Sequence, residues 1–297
     1  MTLGLFMQNL ANGISLGSLY ALIAIGYTMV YGILRLINFA HGDIFMMATY
    51  FSFFGIMLFN IPWYISFTLA IILTGILGVA VETAAYRPLR DAPKISLLIS
   101  SIGVSFLLEN LSVLLFSGKP KAFPTPNVLT RMVTISGITI QVLSFIIPVV
   151  TFILLSLLLY LINNTKVGMA MRAVSKDHET ARLMSVDVNK IISLTFGLGS
   201  MLAAIGGIMW GLKFPQINPI MGVIPGLKCF IAAVIGGIGN VKGAVIGGFI
   251  LGVGEIMLVA LLPGLTGYRD AFAFIMLIVI LLLKPTGIMG EKITEKV

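Results

Sequence analysis

GMAMRAVSKDHETARLMSVDVN, residues 168–189, is the longest polar run in the chain, and apolar stretches at 141–162 and 191–212 border it on both sides. A helix needs about 20 mostly apolar residues to cross the hydrocarbon core of a bilayer. A polar run caught between two such stretches is therefore a loop of a polytopic membrane protein. This loop has helical features of its own. Ser175 stands where an N-cap would, and Asp177 and Glu179 fall in the first turn, where acids suit the helix dipole. Ala181, Leu183 and Met184 then supply a small apolar face. On the residues alone, the loop is either a plain connection or a docking element.

Composition supports the same class. The 297 residues are 58% hydrophobic and only 10% charged, far below the roughly 25% charge of soluble domains. No polar stretch is long enough to hide a soluble domain. The net charge of +8 is spread over loops instead of one face, which suits anchoring against anionic lipid better than nucleic-acid binding. The single Cys229 excludes an intramolecular disulfide and a cysteine metal cluster. The first residues carry no positive run ahead of the apolar stretch, so that stretch is expected to stay as a span instead of being cleaved as a signal peptide.

The expected fold is all-α, with about nine spans and a range of eight to ten, near 9–34, 39–59, 61–86, 95–116, 139–163, 191–213, 227–239, 243–262 and 270–284. The seventh is short and glycine-rich, a candidate for a re-entrant or broken helix. If residues 168–189 are cytoplasmic, thirteen Lys and Arg fall inside and six outside, in line with the positive-inside rule. The inner set includes Arg35, Arg87, Arg90, Lys292 and Lys296, and the outer set includes Lys119, Lys213, Lys228 and Arg269. The loop at 117–139, with Pro120, Pro124 and Pro126, reads as an ordered extracytoplasmic surface.

Short matches suggest an internal repeat. Leu16-Gly17-Ser18 recurs as Leu198-Gly199-Ser200, Ile37-Asn38 as Ile217-Asn218, the Leu-Gly-Val run before Glu82 as the one before Glu255, and Tyr86-Arg87 as Tyr268-Arg269. The matches keep one order, and the first span of each unit runs in the opposite direction. Inverted repeats are a recurrent plan of transporters, with the pathway between the halves. The expected organisation is one permease domain: a first unit at about 9–116, a linking span at 139–163, a cytoplasmic loop at 164–190 and a second unit at about 191–284.

The polar residues near or inside spans are candidate pathway groups. Asn38, His41 and Asp43 stand at the start of the second span, where Asn38 or Asp43 would cap a helix at the interface or face a solute across a half-helix end. Pro215, Asn218, Pro219 and Pro225 break the chain at the matching place in the second unit. Glu82 sits near the Arg87 interface and is expected to pair or snorkel there. Glu109 and Glu255 lie deeper, and an ionisable group in hydrocarbon needs a partner or water. Glycines four apart (Gly13/Gly17, Gly207/Gly211, Gly243/Gly247, Gly248/Gly252) read as helix-packing positions. The sequence holds no phosphate-binding loop and no H-E-x-x-H, so energy for uphill transport would come from an ion gradient or from a nucleotide-hydrolysing partner.

Several motifs together resemble a known family. Asn38-Phe39-Ala40-His41-Gly42-Asp43, Gly168-x-x-x-Arg172-Ala173, Gly236-Gly237-Ile238-Gly239-Asn240 with Gly243-Ala244, and Pro285-Thr286-Gly287 are similar to those of the inner-membrane permeases of branched-chain amino-acid ABC importers, the LivH-like subunits in particular. The likeness spans essentially the whole chain. It implies a multi-pass protein of the bacterial inner membrane that works with a second homologous permease, two cytoplasmic ATPases that bind ATP and magnesium, and an extracytoplasmic solute-binding protein. It implies no catalytic residue and no cofactor on this chain. The 168–188 loop is similar to the family's coupling loop, which docks in a groove of the ATPase. That likeness assigns coupling to Gly168, Arg172, Ala173, Asp177, Glu179, Ala181 and Met184. Family members commonly have glycine where this chain has Ser185. Urea or short-amide permeases share the architecture and stay open as an alternative, as does an ion-coupled carrier or channel acting alone.

Overall fold

The computed structural model describes residues 3–135 and 138–290, so Lys292 and Lys296 of the expected inner set lie outside the described residues. Nine apolar helices take up the nine expected stretches: α1 (Leu3–Leu34), α2 (His41–Met57), α3 (Trp63–Val81), α4 (Lys94–Phe116), α6 (Leu143–Asn164), α9 (Val188–Lys213), α10 (Val223–Gly236), α11 (Val241–Leu261) and α12 (Arg269–Leu283). Among the described residues seven of them, with their continuations, are long and apolar enough to cross a membrane. The other two, α2 and α10, have 17 and 14 residues. The loop between α4 and α6 adds β1 (Lys121–Ala122), a single turn α5 (Asn127–Thr130), and the antiparallel hairpin of β2 (Met132–Ile135) and β3 (Ile138–Gln141). At the other end, α7 (Lys166–Lys176) and α8 (His178–Leu183) fill the polar run.

Small residues set how closely the helices approach. A Cβ on Gly252 would run into the backbone of Gly17, and one on Gly248 into that of Ala21, so α1 and α11 cross with main chains nearly touching. Gly243 and Gly247 do the same between α11 and α10, and Gly207 and Gly211 bring α9 onto Phe45 and Thr49 of α2. The packing has a two-fold pattern: α1 lies on α11 as α3 lies on α9, and α2 contacts α9 as α10 contacts α1. Dispersion and close fit, not burial from water, hold helices together in lipid. Gly252→Val is therefore expected to cost about 1–3 kcal/mol or more through overpacking. Gly103→Ala, at a position with open space around it, should leave stability unchanged or slightly raised. Thermal unfolding of the two purified variants checks this contrast.

The short helices begin inside the bundle. After α1 the chain takes a left-handed turn at Arg35 (φ 51°) and runs without helix to His41. His41 packs on the Tyr27 ring with centroids 4.4 Å apart, and it lies against Gly26. Gly26 is eight residues before the end of α1, so at 1.5 Å per residue α2 starts about 12 Å inside that end. From the opposite end, β4 (Gln216–Ile217) pairs with β1, and residues 218–222 then descend to α10. The two helix starts meet: a Cβ on Gly42 would strike the Gly222 carbonyl, and one on Gly226 the Gly42 Cα.

The start of α2 departs from the sequence expectation. Neither Asn38 nor Asp43 caps it; Ala40 occupies the cap position and no side chain bonds there. The reason is burial within the bundle, where both side chains find tertiary partners instead.

Candidate functional site

The end of the bundle expected to be cytoplasmic is built by α7 and α8. Thr165 caps α7 by accepting from the Gly168 amide at 3.1 Å. Gly168 must be small, because a Cβ there would collide with the carbonyls of Leu161 and Ile162. Those carbonyls end α6, and Arg172 reaches back to donate to that of Ile162. Gly168, Met171 and Val174 form the buried stripe of an amphipathic helix, while Arg172 and Ala173 face outward.

Two expectations for this segment are corrected. The helix does not start at Ser175, whose hydroxyl donates to the Arg172 carbonyl within α7. Instead Asp177, in extended conformation, ends α7 and caps α8, its carboxylate accepting from the amides of Glu179 and Thr180 at 2.9 and 3.1 Å. A carboxylate is the stronger acceptor for free amides, and it sits two residues nearer the apolar positions. The expected apolar face is also split. Ala181 is buried against the body of the protein, whereas Leu183 and Met184 are 86% and 75% exposed. Glu179 faces solvent beside them.

The end of α8 shows why a glycine would suit position 185. Ser185 is left-handed (φ 61°), its amide donates to the Arg182 carbonyl, and the Val186 amide donates to that of Ala181. This is a Schellman cap, in which glycine pays no Cβ penalty. Ser185→Gly is expected to stabilise the segment by about 1 kcal/mol, read as slower amide exchange across 180–190. Faster exchange would contradict it.

Inside the bundle, three of the expected pathway residues come together at the start of α2. The Tyr86 hydroxyl donates to Asn38 Oδ1 at 2.7 Å, and the Ser105 hydroxyl of α4 to Asp43 Oδ2 at 2.5 Å. Tyr86 is brought into reach by a widened π turn, Glu82–Tyr86, at the end of α3. Glu109 lies one turn beyond Ser105, half-buried and close enough for its charge to act on Asp43. Asn38 Nδ2, His41 Nε2 and Asp43 Oδ1 are buried and have no hydrogen-bond partner among the described residues. Each such atom costs about 1–3 kcal/mol when left unpaired, so three together mark a place where polar groups serve something other than packing.

Glu255 and Asn218 belong to a second place, nearer the end that carries β1 and β4. Glu255 is fully buried; its Oε2 accepts from Arg269 Nε at 2.7 Å and from the Tyr20 hydroxyl at 3.1 Å, and its Oε1 forms an ion pair with Lys228 Nζ at 3.0 Å. Lys228 also meets Asp270 at 2.7 Å. Asn218 accepts from the Ile220 amide at 3.1 Å. Both Lys228 and Asn218 line a cavity of about 300 Å³ together with Trp210 and Phe214. Lys228, counted on the outer side from the sequence at the start of the expected span 227–239, lies inside the bundle. It is on the second turn of α10 and only 5% exposed. A base inside an apolar run was the signal that could have found it.

The opposite end holds a counterpart. Glu82 is fully buried and takes Arg87 at 3.2 Å, Arg90, and the Ser193 hydroxyl of α9 at 2.6 Å. Arg90 reaches on to Asn189 at 2.6 Å. Glu82 is thus locked in a pair and does not snorkel. Each buried glutamate receives a hydroxyl from the long helix of the other half, Tyr20 of α1 or Ser193 of α9.

Comparison with known proteins gives the family. A family model described as the permease component of the branched-chain amino acid transport system matches residues 9–281. The chain is 41% identical to the high-affinity branched-chain amino acid transport system permease protein BraD of Pseudomonas aeruginosa, covering 98% of each chain. It is 40% identical to the permease protein LivH of Escherichia coli K12, again over 98% of both. Among solved structures it resembles a chain of "PsaBC from Streptococcus pneumoniae in complex with Fab" (TM-score 0.50, 14% identity, 95% of this chain and 92% of that one), a likeness of fold alone. With helices able to span the bilayer, paired half-length helices and this extent of identity, the chain belongs to the family of branched-chain amino acid transport permeases.

Proposed function

We propose that this chain is the inner-membrane permease subunit of an ATP-driven importer for leucine, isoleucine and valine. It works beside a second homologous permease, two cytoplasmic ATPases that carry ATP and magnesium, and an extracytoplasmic binding protein. The observation that carries the reading is the meeting of α2 and α10 at their N-terminal ends inside the bundle, beside the unpaired polar atoms of Asn38, His41 and Asp43. Half-helices that end within the bilayer are the usual way a transporter presents backbone and polar groups to solute.

The loops at 117–142 and 214–222, joined through β1 and β4, form the landing surface for the binding protein. Leu183 and Met184 on α8 form the tip that enters the ATPase. His178 Nε2 lies 3.3 Å from the carbonyl of Ile33 at the end of α1, so movement of α8 reaches the segment that leads to His41. Residues 9–116 and 191–284 act as inverted units that rock about the junction of α2 and α10, with 139–163 as the linking span. The matched packing of α1 on α11 and α3 on α9 supports that division.

The test is affinity purification of the tagged chain from its own membranes, followed by uptake with leucine and urea as competing solutes. Two ATPases and a second permease are expected to co-purify, with leucine taken up in preference. Urea uptake without leucine uptake would overturn the substrate; a chain that purifies alone would overturn the class.

A further inference from the structure

The lining of the cavity of about 300 Å³ combines two kinds of chemistry: apolar Trp210, Phe214, Met221 and Ile224, and cationic Lys228 and Arg269. Apolar surface beside fixed cations is the complement of a small molecule with a hydrocarbon body and a carboxylate. Gln216 and Asn218 add amide oxygens, which accept from an ammonium.

The charges in this place are balanced but unequally held. Lys228 and Arg269 are matched by Glu255 and Asp270. Glu255 is fully buried and gripped by three groups, whereas the Asp270 side chain is 58% exposed and meets Lys228 from the first turn of α12. Of the two acids, Asp270 alone can turn into water without leaving a charge buried.

We propose that this cavity is a site for a free α-amino acid with a branched aliphatic side chain, whose carboxylate displaces that of Asp270 from Lys228. The proposal rests on the importer reading and gives the permease its own solute contact. The aliphatic side chain lies against Trp210 and Phe214, and the ammonium faces Gln216 and Asn218. The solute is a zwitterion and adds no net charge; its carboxylate takes over Lys228 while Asp270 is hydrated at the rim. Asp270 is then a resident competitor, and the fraction of time it holds Lys228 lowers the apparent affinity.

The chain has two tryptophans, Trp63 and Trp210, so Trp63→Phe in lipid nanodiscs leaves Trp210 as the sole reporter. Leucine is expected to change its emission saturably, and leucinamide, which lacks the carboxylate, to need about a tenfold higher concentration. Adding Asp270→Asn should tighten leucine binding, whereas Lys228→Gln should weaken it about tenfold. The opposite directions guard against a folding defect in the lysine variant. Equal responses to leucine and leucinamide, no saturable response, or unchanged or weaker binding in Asp270→Asn would overturn the site. Uptake by the assembled Trp63→Phe transporter separates the two ideas: uptake without a Trp210 response refutes this site alone, and absent uptake refutes the importer reading beneath it.

Discussion

Replacing Leu183 and Met184 together by aspartate is expected to abolish ATP-driven uptake while leaving the chain folded in the membrane. Both side chains project from the end of α8, 86% and 75% exposed, among the polar neighbours Arg182 and Ser185. Burying each in a partner groove is worth about 1.5–3 kcal/mol, so losing both lowers affinity for the ATPase by about 10²–10⁴-fold. The scaffold should not notice, because Ala181, Met171 and Val174 do the anchoring and are buried on the other side. The measurement is co-purification of the ATPase and hydrolysis stimulated by the binding protein, beside a melting curve of the chain. An unchanged melting temperature with lost hydrolysis supports docking at this tip. Normal hydrolysis would place the docking elsewhere.

The second large effect is expected at Glu255. Alanine there leaves Lys228, only 5% exposed, with Asp270 as its remaining acid, and strips Arg269 and Tyr20 of their common acceptor. Breaking a buried ion pair by removing one partner costs about 3–5 kcal/mol, a large part of the 5–15 kcal/mol that holds a typical protein folded. Removing both charges is a different experiment. Lys228→Met with Glu255→Leu takes the buried lysine away as well, and replacing a buried pair by apolar groups of similar size is often neutral or stabilising. Recovery yield and thermal stability in mild detergent should therefore fall sharply in Glu255→Ala and return in the double variant. Equal losses in both would mean that Glu255 does not act through Lys228.

The sequence made the helices legible because lipid leaves one dominant signal, a run of apolar residues long enough to span. The glycine pairs were legible for a related reason: close helix contact admits little else, and all four pairs stand at such contacts. The short, broken character of α10 also showed, since Gly237 and Gly239 take positive φ immediately after it. What failed to show was pairing across distance. Glu255 meets Lys228 and Arg269 from three different helices, and nothing local in the chain announces that arrangement. Tyr86 with Asn38 and Ser105 with Asp43 are hidden in the same way. The misplaced cap at Ser175 has a local origin. Ser175 and Asp177 both suit an N-cap, and the choice between them was made by burial of Met171 and Val174, which carries α7 on through Lys176. Leu183 and Met184 belong with Ala181 by composition, but the Schellman turn at Ser185 sends them outward.

Uptake of labelled leucine into liposomes tests the central claim most directly, with the isolated chain compared against the assembly of two permeases, two ATPases and the binding protein. The account predicts accumulation by the assembly only when ATP is present on the side that bears α7 and α8, and none by the chain alone. Concentrative uptake by the isolated chain, or uptake driven by ATP on the opposite side, would contradict it.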